Sequence, residues 1–330
     1  MEGASSRTSK LSSKFPLSHT DLTKASNSIS RWEVDNEFPP LLLQIFETNY
    51  PSWNIHLRSN PGSFGVLSSP AVTSLTVWFG QSYIARDKTA LSKVQRAIQG
   101  SGNLKKLHLC VGVGGCSQFH YSTDFLENGE TFPPLEELVL EWFCVTQSCG
   151  EYWLKAMDWS HLRVLDFREE SFSSPFFSLL LPTADTLPAL ENIGLHLPPW
   201  TEDDVRNQRD DPSSSLSLTK RLFSTARPRS LLDVRLEGHY QPLLPDIIEH
   251  HATSLKGLSL HEREVSREDN QRTPLSLEEL EEIGSKSPGL EALALDMNIS
   301  KEHTWVSIQY RILSDCTNLV PESRKTSLIL

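Results

Sequence analysis

The sequence predicts an α/β fold in which short parallel strands and helices alternate along a repeating chain. An apolar triplet with the spacing i, i+3, i+5 occurs eight times, at intervals of 24 residues (Leu231 to Leu255) to 41 residues (Leu190 to Leu231). Apolar residues at helical spacing lie between the triplets. Alternation of helix and strand gives parallel pairing, and these strands are too short and too alike for a doubly wound sheet.

Each triplet predicts one short strand. Side chains alternate between the two faces of a strand, so the second and third members point inward, and a turn before the strand places the first member in the same core. In chain order the triplets are Val72/Leu75/Val77, Leu104/Leu107/Leu109, Leu135/Leu138/Leu140, Leu162/Leu165/Phe167, Leu190/Ile193/Leu195, Leu231/Val234/Leu236, Leu255/Leu258/Leu260 and Leu290/Leu293/Leu295.

The segments between the triplets are long enough to hold a helix on each return. The last predicted helix opens at Ser276 with Glu279 three residues later, which is the pattern of a capping box. The predicted helices are 87–99, 152–159, 216–226, 245–251 and 277–286.

Three regions are expected along the chain. Residues 1–37 are rich in serine and basic residues and poor in large apolar ones, which predicts a disordered tail. Residues 38–300 hold the repeats, with an exposed loop expected at 201–215. Residues 301–330 predict a terminal helix and an incomplete last repeat. We therefore expect a truncated member of a longer family or an end that is covered by association.

Composition excludes several functional classes. The formal net charge of −11 over 330 residues disfavours binding to nucleic acid or to an anionic membrane. The longest aliphatic runs, such as Leu41-Leu42-Leu43, are much shorter than a membrane span, which predicts a soluble protein. Five cysteines and no apolar secretion segment predict an intracellular location, cytoplasmic or nuclear.

The pattern L-x-x-L-x-L resembles a leucine-rich repeat. Short repeats of that family carry Asn at the ninth position, and here only Asn298 fits. The irregular lengths and the segment from Phe38 to Leu57 are similar to the degenerate repeats of filamentous-fungal F-box-like proteins. This resemblance implies a solenoid with strands on the concave face and helices on the convex face. It also implies substrate recognition for an SCF-type ubiquitin ligase, with a Skp-type adaptor and a cullin as partners.

The segment Phe38-Pro-Pro-Leu-Leu-Leu-Gln-Ile-Phe also matches the opening of an F-box. An F-box continues with about two further helices, whereas Pro51 interrupts this chain and residues 53–57 have the pattern of a strand. We interpret the segment as the first helix of the repeat region, with Leu42, Ile45 and Phe46 in the core.

Motifs for catalysis or cofactor binding are weak. Gly112-Val-Gly-Gly-Cys-Ser117 has serine where a dinucleotide loop needs its third glycine. Cys110 and Cys116, with His108 and His120 nearby, lack the paired spacing of a zinc site. The sequence predicts no enzymatic activity, no cofactor and no metal.

The best candidate site is the face of the sheet that points away from the core. Residues between and after the inward-pointing members should form columns across neighbouring strands. Opposite charges in these columns predict a charged ladder and a protein-binding face. The candidate residues are Trp78, His108, Glu141, Asp166, Arg168, His196, Arg235, Glu237, His261 and Asp296.

Three functions remain open. The first is a noncatalytic interaction scaffold that recognises substrates for ubiquitin ligation, and the second is a repeat-only binding protein or inhibitor with no ligase link. The third is an enzyme with a site assembled from His108, His196 and His261.

Overall fold

The computed structural model describes most of the predicted repeat region. The described residues are 29–33, 40–49, 54–59, 69–80, 94, 96, 98–112, 131–142, 147–168, 179–180, 187–197, 215–225, 231–262 and 275–296. Residues 201–214 of the predicted loop at 201–215 and the predicted terminal region at 301–330 lie outside these residues, as do residues 1–28, whereas Ser215 begins a helix.

In the described part of the chain, ten parallel strands form one open sheet, and their order in the sheet is their order in the chain. The α/β class and the parallel pairing are therefore confirmed. The strands are β1 (Ile29–Glu33), β2 (Asn54–Ser59), β3 (Val72–Gly80), β4 (Lys106–Gly112), β5 (Glu137–Glu141), β6 (Val164–Arg168), β7 (Asn192–His196), β8 (Asp233–Glu237), β9 (Gly257–His261) and β10 (Ala292–Leu295).

The eight triplets lie at β3 to β10 and supply the inner face of the sheet. All their members are at most 3% exposed, except Leu293 and Leu295 on the last strand, which are half-buried. The first member of a triplet lies in a tight turn, as at Leu104, whose N–H donates to the carbonyl of Ser101 at 3.1 Å. The same bond, from Leu162 to Trp159 at 3.2 Å, precedes β6. The i, i+3, i+5 spacing thus reflects one buried turn residue followed by two inward strand residues.

Helices occupy the returns between strands and share the core with the triplets. They are α1 (Pro40–Asn49), α2 (Gln147–Ala156), α3 (Ser215–Thr225), α4 (Leu244–His251) and α5 (Leu277–Lys286). Trp153 of α2, Phe223 of α3 and Ile247 of α4 are fully buried in that core. The capping box at Ser276 is confirmed, because its hydroxyl accepts from the N–H of Glu279 and the Glu279 carboxylate accepts from the N–H of Ser276.

Three sequence-based predictions need correction. The boundary of the disordered tail at residue 37 is wrong for residues 29–33, which form β1 and pair with β2. On α1, Leu42 packs against the core as expected, but Ile45 is 39% exposed. Helix α2 begins at Gln147 and ends at Ala156, so it starts five residues earlier and ends three residues earlier than predicted, and its Trp153 is buried in the core.

None of the helices in the described part of the chain combines the length and the apolar character that a bilayer span requires.

Candidate functional site: the outer face of the sheet

Side chains of successive strands form straight rows on the outer face, the face of the sheet that points away from the core. The strand register aligns the predicted central row from β3 to β10 without a shift. Its members are Thr76, His108, Val139, Asp166, Gly194, Arg235, Ser259 and Ala294. The second predicted row follows at the strand ends and contains Trp78, Cys110, Glu141, Arg168, His196, Glu237 and His261, with Asp296 directly after β10. Both predicted columns are confirmed.

Asp166 is the centre of a charged cluster on this face. Its Oδ2 accepts a hydrogen bond from Arg168 Nε at 2.7 Å, and its Oδ1 accepts from Arg235 Nη2 at 2.6 Å. The Asp166 side chain is only 10% exposed, whereas the two arginine side chains are 39% and 35% exposed. One buried carboxylate therefore fixes two guanidinium groups that remain open to solvent.

A glycine makes this arrangement possible. Arg235 is two strands away from Asp166, and Gly194 of β7 lies between them in the row. A Cβ at Gly194 would lie 2.1 Å from Asp166 Oδ1 and 3.4 Å from Arg235 Nη2. The missing side chain thus lets the Asp166 carboxylate reach across β7 to β8.

Glu237 extends the cluster along the second row. Its Oε1 lies 3.6 Å from Arg235 Nε, and its Oε2 lies 3.4 Å from His196 Nδ1. The pKa of Glu237 is lowered, first by the hydrogen bond from His196, and the charge of Arg235 adds to this against the opposing effect of burial. Glu237 is therefore held as a carboxylate between two donors.

Two further histidine–carboxylate pairs flank the cluster. His108 Nε2 lies 3.1 Å from Glu141 Oε2 on the next strand, and His261 Nδ1 lies 2.8 Å from Asp296 Oδ1. Burial lowers the pKa of His108 more than Glu141 raises it, which favours a neutral imidazole that donates to Glu141. Asp296 also accepts from the N–H of Glu262 at 2.6 Å.

Not every predicted face residue is accessible. Cys110 is 0% exposed and Val139 is 3% exposed. Asp166 and His196, at 7% each, position their partners rather than offering a surface of their own. Trp78 and Glu141 are half-buried, and His261 is exposed.

A third row of outward residues, which was not among the predicted columns, lies at the beginnings of the strands. In this row Lys106 Nζ lies 2.7 Å from Glu137 Oε2, and Asp233 of β8 lies beside Gly257 of β9. These residues precede the central row by two positions, so the same alternation that gave the other two columns could have identified them.

On the described part of the outer face, charged groups lie close together, but the three candidate histidines are spread along the sheet. His108 on β4 and His261 on β9 are five strands apart, which corresponds to about 24 Å, and His196 is paired with Glu237. The three histidines therefore do not share one site. Among the described residues, no group of three or more His, Cys, Asp or Glu side chains could hold a metal ion. Of the predicted loop at 112–117, Gly112 ends β4, whereas residues 113–117 and His120 lie outside the described residues.

The strongest geometric feature is the Asp166 cluster, in which one buried carboxylate holds two half-exposed arginines. No known protein-family model matches the chain, and no curated protein matches it.

Proposed function

We propose that the chain is a leucine-rich-repeat solenoid, with the strands on its concave face and the helices on its convex face. The sequential order of ten parallel strands supports this architecture. A repeated backbone pattern supports it further, because the carbonyl just before each strand from β4 to β9 accepts two N–H groups from the next repeat. Lys105 O accepts from Glu136 and Glu137 at 2.7 and 3.0 Å, and Glu136 O accepts from Arg163 and Val164 at 2.8 and 3.0 Å.

The function that this geometry supports best is a noncatalytic protein–protein interaction scaffold that binds through the outer face. The observation that carries this proposal is the Asp166 cluster. Arg168 and Arg235 are fixed before any partner arrives, so binding requires little further ordering of these long side chains. Arginine is also the charged residue most enriched at binding hot spots.

The resemblance to F-box-like proteins suggests a specific role for the scaffold, which is substrate recognition in an SCF-type ubiquitin ligase. A Skp-type adaptor and a cullin would then be partners. One observation favours the alternative of a repeat-only binding protein or inhibitor. Helix α1 ends at Asn49 and strand β2, which pairs with β1 and β3, begins at Asn54, where an F-box would continue with further helices.

Affinity capture from a native cell extract tests the proposal. The bait would be the full chain, the Arg168→Ala variant and a control variant, Arg163→Ala. Arg163 directly precedes β6 and Arg168 is its last residue. Arg163 is a suitable control because it lies outside the cluster, in an exposed ion pair with Glu191 at 2.7 Å. We expect the wild type and Arg163→Ala to capture the same proteins, and Arg168→Ala to capture at least about threefold less.

Equal capture by all three baits would contradict the proposal. If the proteins captured by the wild type include a Skp-type adaptor and a cullin, this would support the role in a ubiquitin ligase. Their absence from an otherwise specific set would favour the repeat-only binding protein.

A further inference from the structure

Two aspartates on the outer face have the same placement over a glycine of the next strand. Asp166 of β6 lies over Gly194 of β7, and Asp233 of β8 lies over Gly257 of β9. A Cβ on either glycine would meet the aspartate Oδ1, at 2.1 Å and 2.0 Å respectively. In both places the missing side chain lets a carboxylate lean over the neighbouring strand.

The two aspartates differ in what lies beyond the glycine. Beyond Gly194 the register places Arg235, which donates to Asp166. Beyond Gly257 it places Ala292 of β10, whose exposed methyl group cannot pair with a carboxylate. The Asp233 backbone N–H donates to the carbonyl of Glu191, but within the described part of the chain the Asp233 carboxylate forms no hydrogen bond and no ion pair.

The electrostatic surroundings of Asp233 also lack a cation at contact distance. Burial against the sheet and the charge of Glu291 raise its pKa above the ordinary value, and only Lys256 opposes them. Lys256 itself lies 3.4 Å from Glu291. A carboxylate in these surroundings would be stabilised by an additional positive charge.

The surrounding surface has room for an incoming side chain and the complementary charge. The neighbouring outward residues Ser259, Ala292 and Ala294 are small, and both alanines are exposed. The outward side chains of β8 to β10, together with Asp296 directly after β10, include three carboxylates and one guanidinium group. They are Asp233, Glu237, Asp296 and Arg235. That guanidinium group already forms an ion pair with Asp166. The whole chain carries −11, so the surface is complementary to a cationic partner.

We propose that the outer face over β8 to β10 docks a basic segment of a protein partner. An arginine or lysine side chain of that segment pairs with Asp233 in the way that Arg235 pairs with Asp166. This inference depends on the proposed function and names the chemical class of the partner.

A peptide titration tests the inference directly. The probe is the blocked peptide Arg-Gly-Arg-Gly-Arg, with Glu-Gly-Glu-Gly-Glu as its reverse-charge counterpart, added to the full chain at low salt. We expect the arginine peptide to bind and the glutamate peptide not to bind. Asp233→Asn should weaken binding about threefold or more, whereas Glu249→Gln, which removes an exposed carboxylate from α4, should leave it unchanged. Equal loss in both variants, or no binding by the wild type, would overturn the inference.

A second variant tests the same position without depending on the stability of Asp233→Asn. Ala292→Arg supplies the missing cation from within the chain. We expect it to lower the pKa of Asp233 in a carboxylate NMR titration and to weaken binding of the arginine peptide by at least about threefold. Unchanged peptide affinity together with an unchanged Asp233 pKa would show that no cation is accommodated there.

The capture experiment separates this inference from the proposed function. If capture falls with Arg168→Ala but not with Asp233→Asn, the outer face binds proteins and the basic-segment inference is wrong. If capture is unaffected by either variant while the arginine peptide still depends on Asp233, the proposed function is wrong and the cation site remains.

Discussion

Gly194 is the residue that lets the Asp166 carboxylate reach Arg235 within the charged cluster of the outer face. Any side chain there would occupy the path between the Asp166 carboxylate and Arg235. We expect Gly194→Ala to displace the carboxylate and to lower the free energy of unfolding by about 1–3 kcal/mol, since a nearly buried charge loses a partner. Chemical denaturation measures this change.

A matched control for that substitution is Gly102→Ala. A Cβ at Gly102 would meet nothing within 4 Å, and the residue is exposed in a turn. The control should therefore leave stability within about 0.5 kcal/mol of the wild type. Similar losses in both variants would show that the cluster contributes nothing specific.

His251 is a second residue whose surroundings predict a measurable effect. It is 4% exposed at the end of α4, and its Nε2 donates to the carbonyl of Phe223 in α3 at 2.8 Å. Burial lowers its pKa below 6.5, and neighbouring His250 acts in the same direction, whereas the Phe223 carbonyl opposes the shift. The folded chain thus holds His251 neutral at a pH where the unfolded chain protonates it.

The sign of the pH effect follows from that difference. Above about pH 6.5, His251 is neutral in both the folded and the unfolded chain, and its full contribution to stability is present. This contribution is lost as the pH falls from about 6.5 through the lower pKa that His251 has in the folded chain. His251→Gln keeps a donor for Phe223 but cannot be protonated, so its stability relative to the wild type should improve on acidification. Denaturation curves at pH 7.5 and 5.5 measure this, and a constant difference between the two proteins would refute it.

At the scale of single elements, the triplets predicted their strands because each one encodes a buried turn residue and two inward side chains. Strand β1 was missed because Ile29–Glu33 follows a serine-rich, basic stretch whose composition indicated disorder. The rows of the outer face followed from strand alternation alone. The reach of Asp166 across Gly194 did not, because it depends on side-chain lengths and on the spacing of three strands in the folded structure.

The triplet leucines should contribute differently to the free energy of unfolding, depending on the position of their strand in the sheet. Leu258 is 2% exposed in β9, between two neighbouring strands, whereas Leu293 occupies the equivalent register in β10 and is half-buried. We expect Leu258→Ala to cost about 2–5 kcal/mol and Leu293→Ala to cost clearly less, since less apolar surface leaves water on folding there. Leu138→Ala, at 0% exposure in β5, should behave like Leu258→Ala. Equal costs for Leu258 and Leu293, measured by chemical denaturation, would contradict this packing.

At the scale of the whole molecule, the protection of backbone amide hydrogens against exchange with solvent should vary along the sheet. Among the described strands, β10 pairs with β9 alone, whereas β6 pairs with β5 and β7. Opening β10 exposes fewer buried side chains, so its amide hydrogens should exchange faster than those of β6. Hydrogen exchange followed by mass spectrometry measures the exchange rates of both strands. Equal protection of β6 and β10 would indicate that the sheet from β6 to β10 opens as a single cooperative unit.

The strand order of the sheet also bears on how the chain is made. Among the described strands, β2 to β10 each pair with the strand that precedes them in the sequence. A chain emerging from the ribosome can therefore add one hydrogen-bonded strand at a time to an edge that already exists. The growing edge is always the most recently synthesised strand. A pause in synthesis should thus leave a shorter version of the same sheet rather than a misfolded chain.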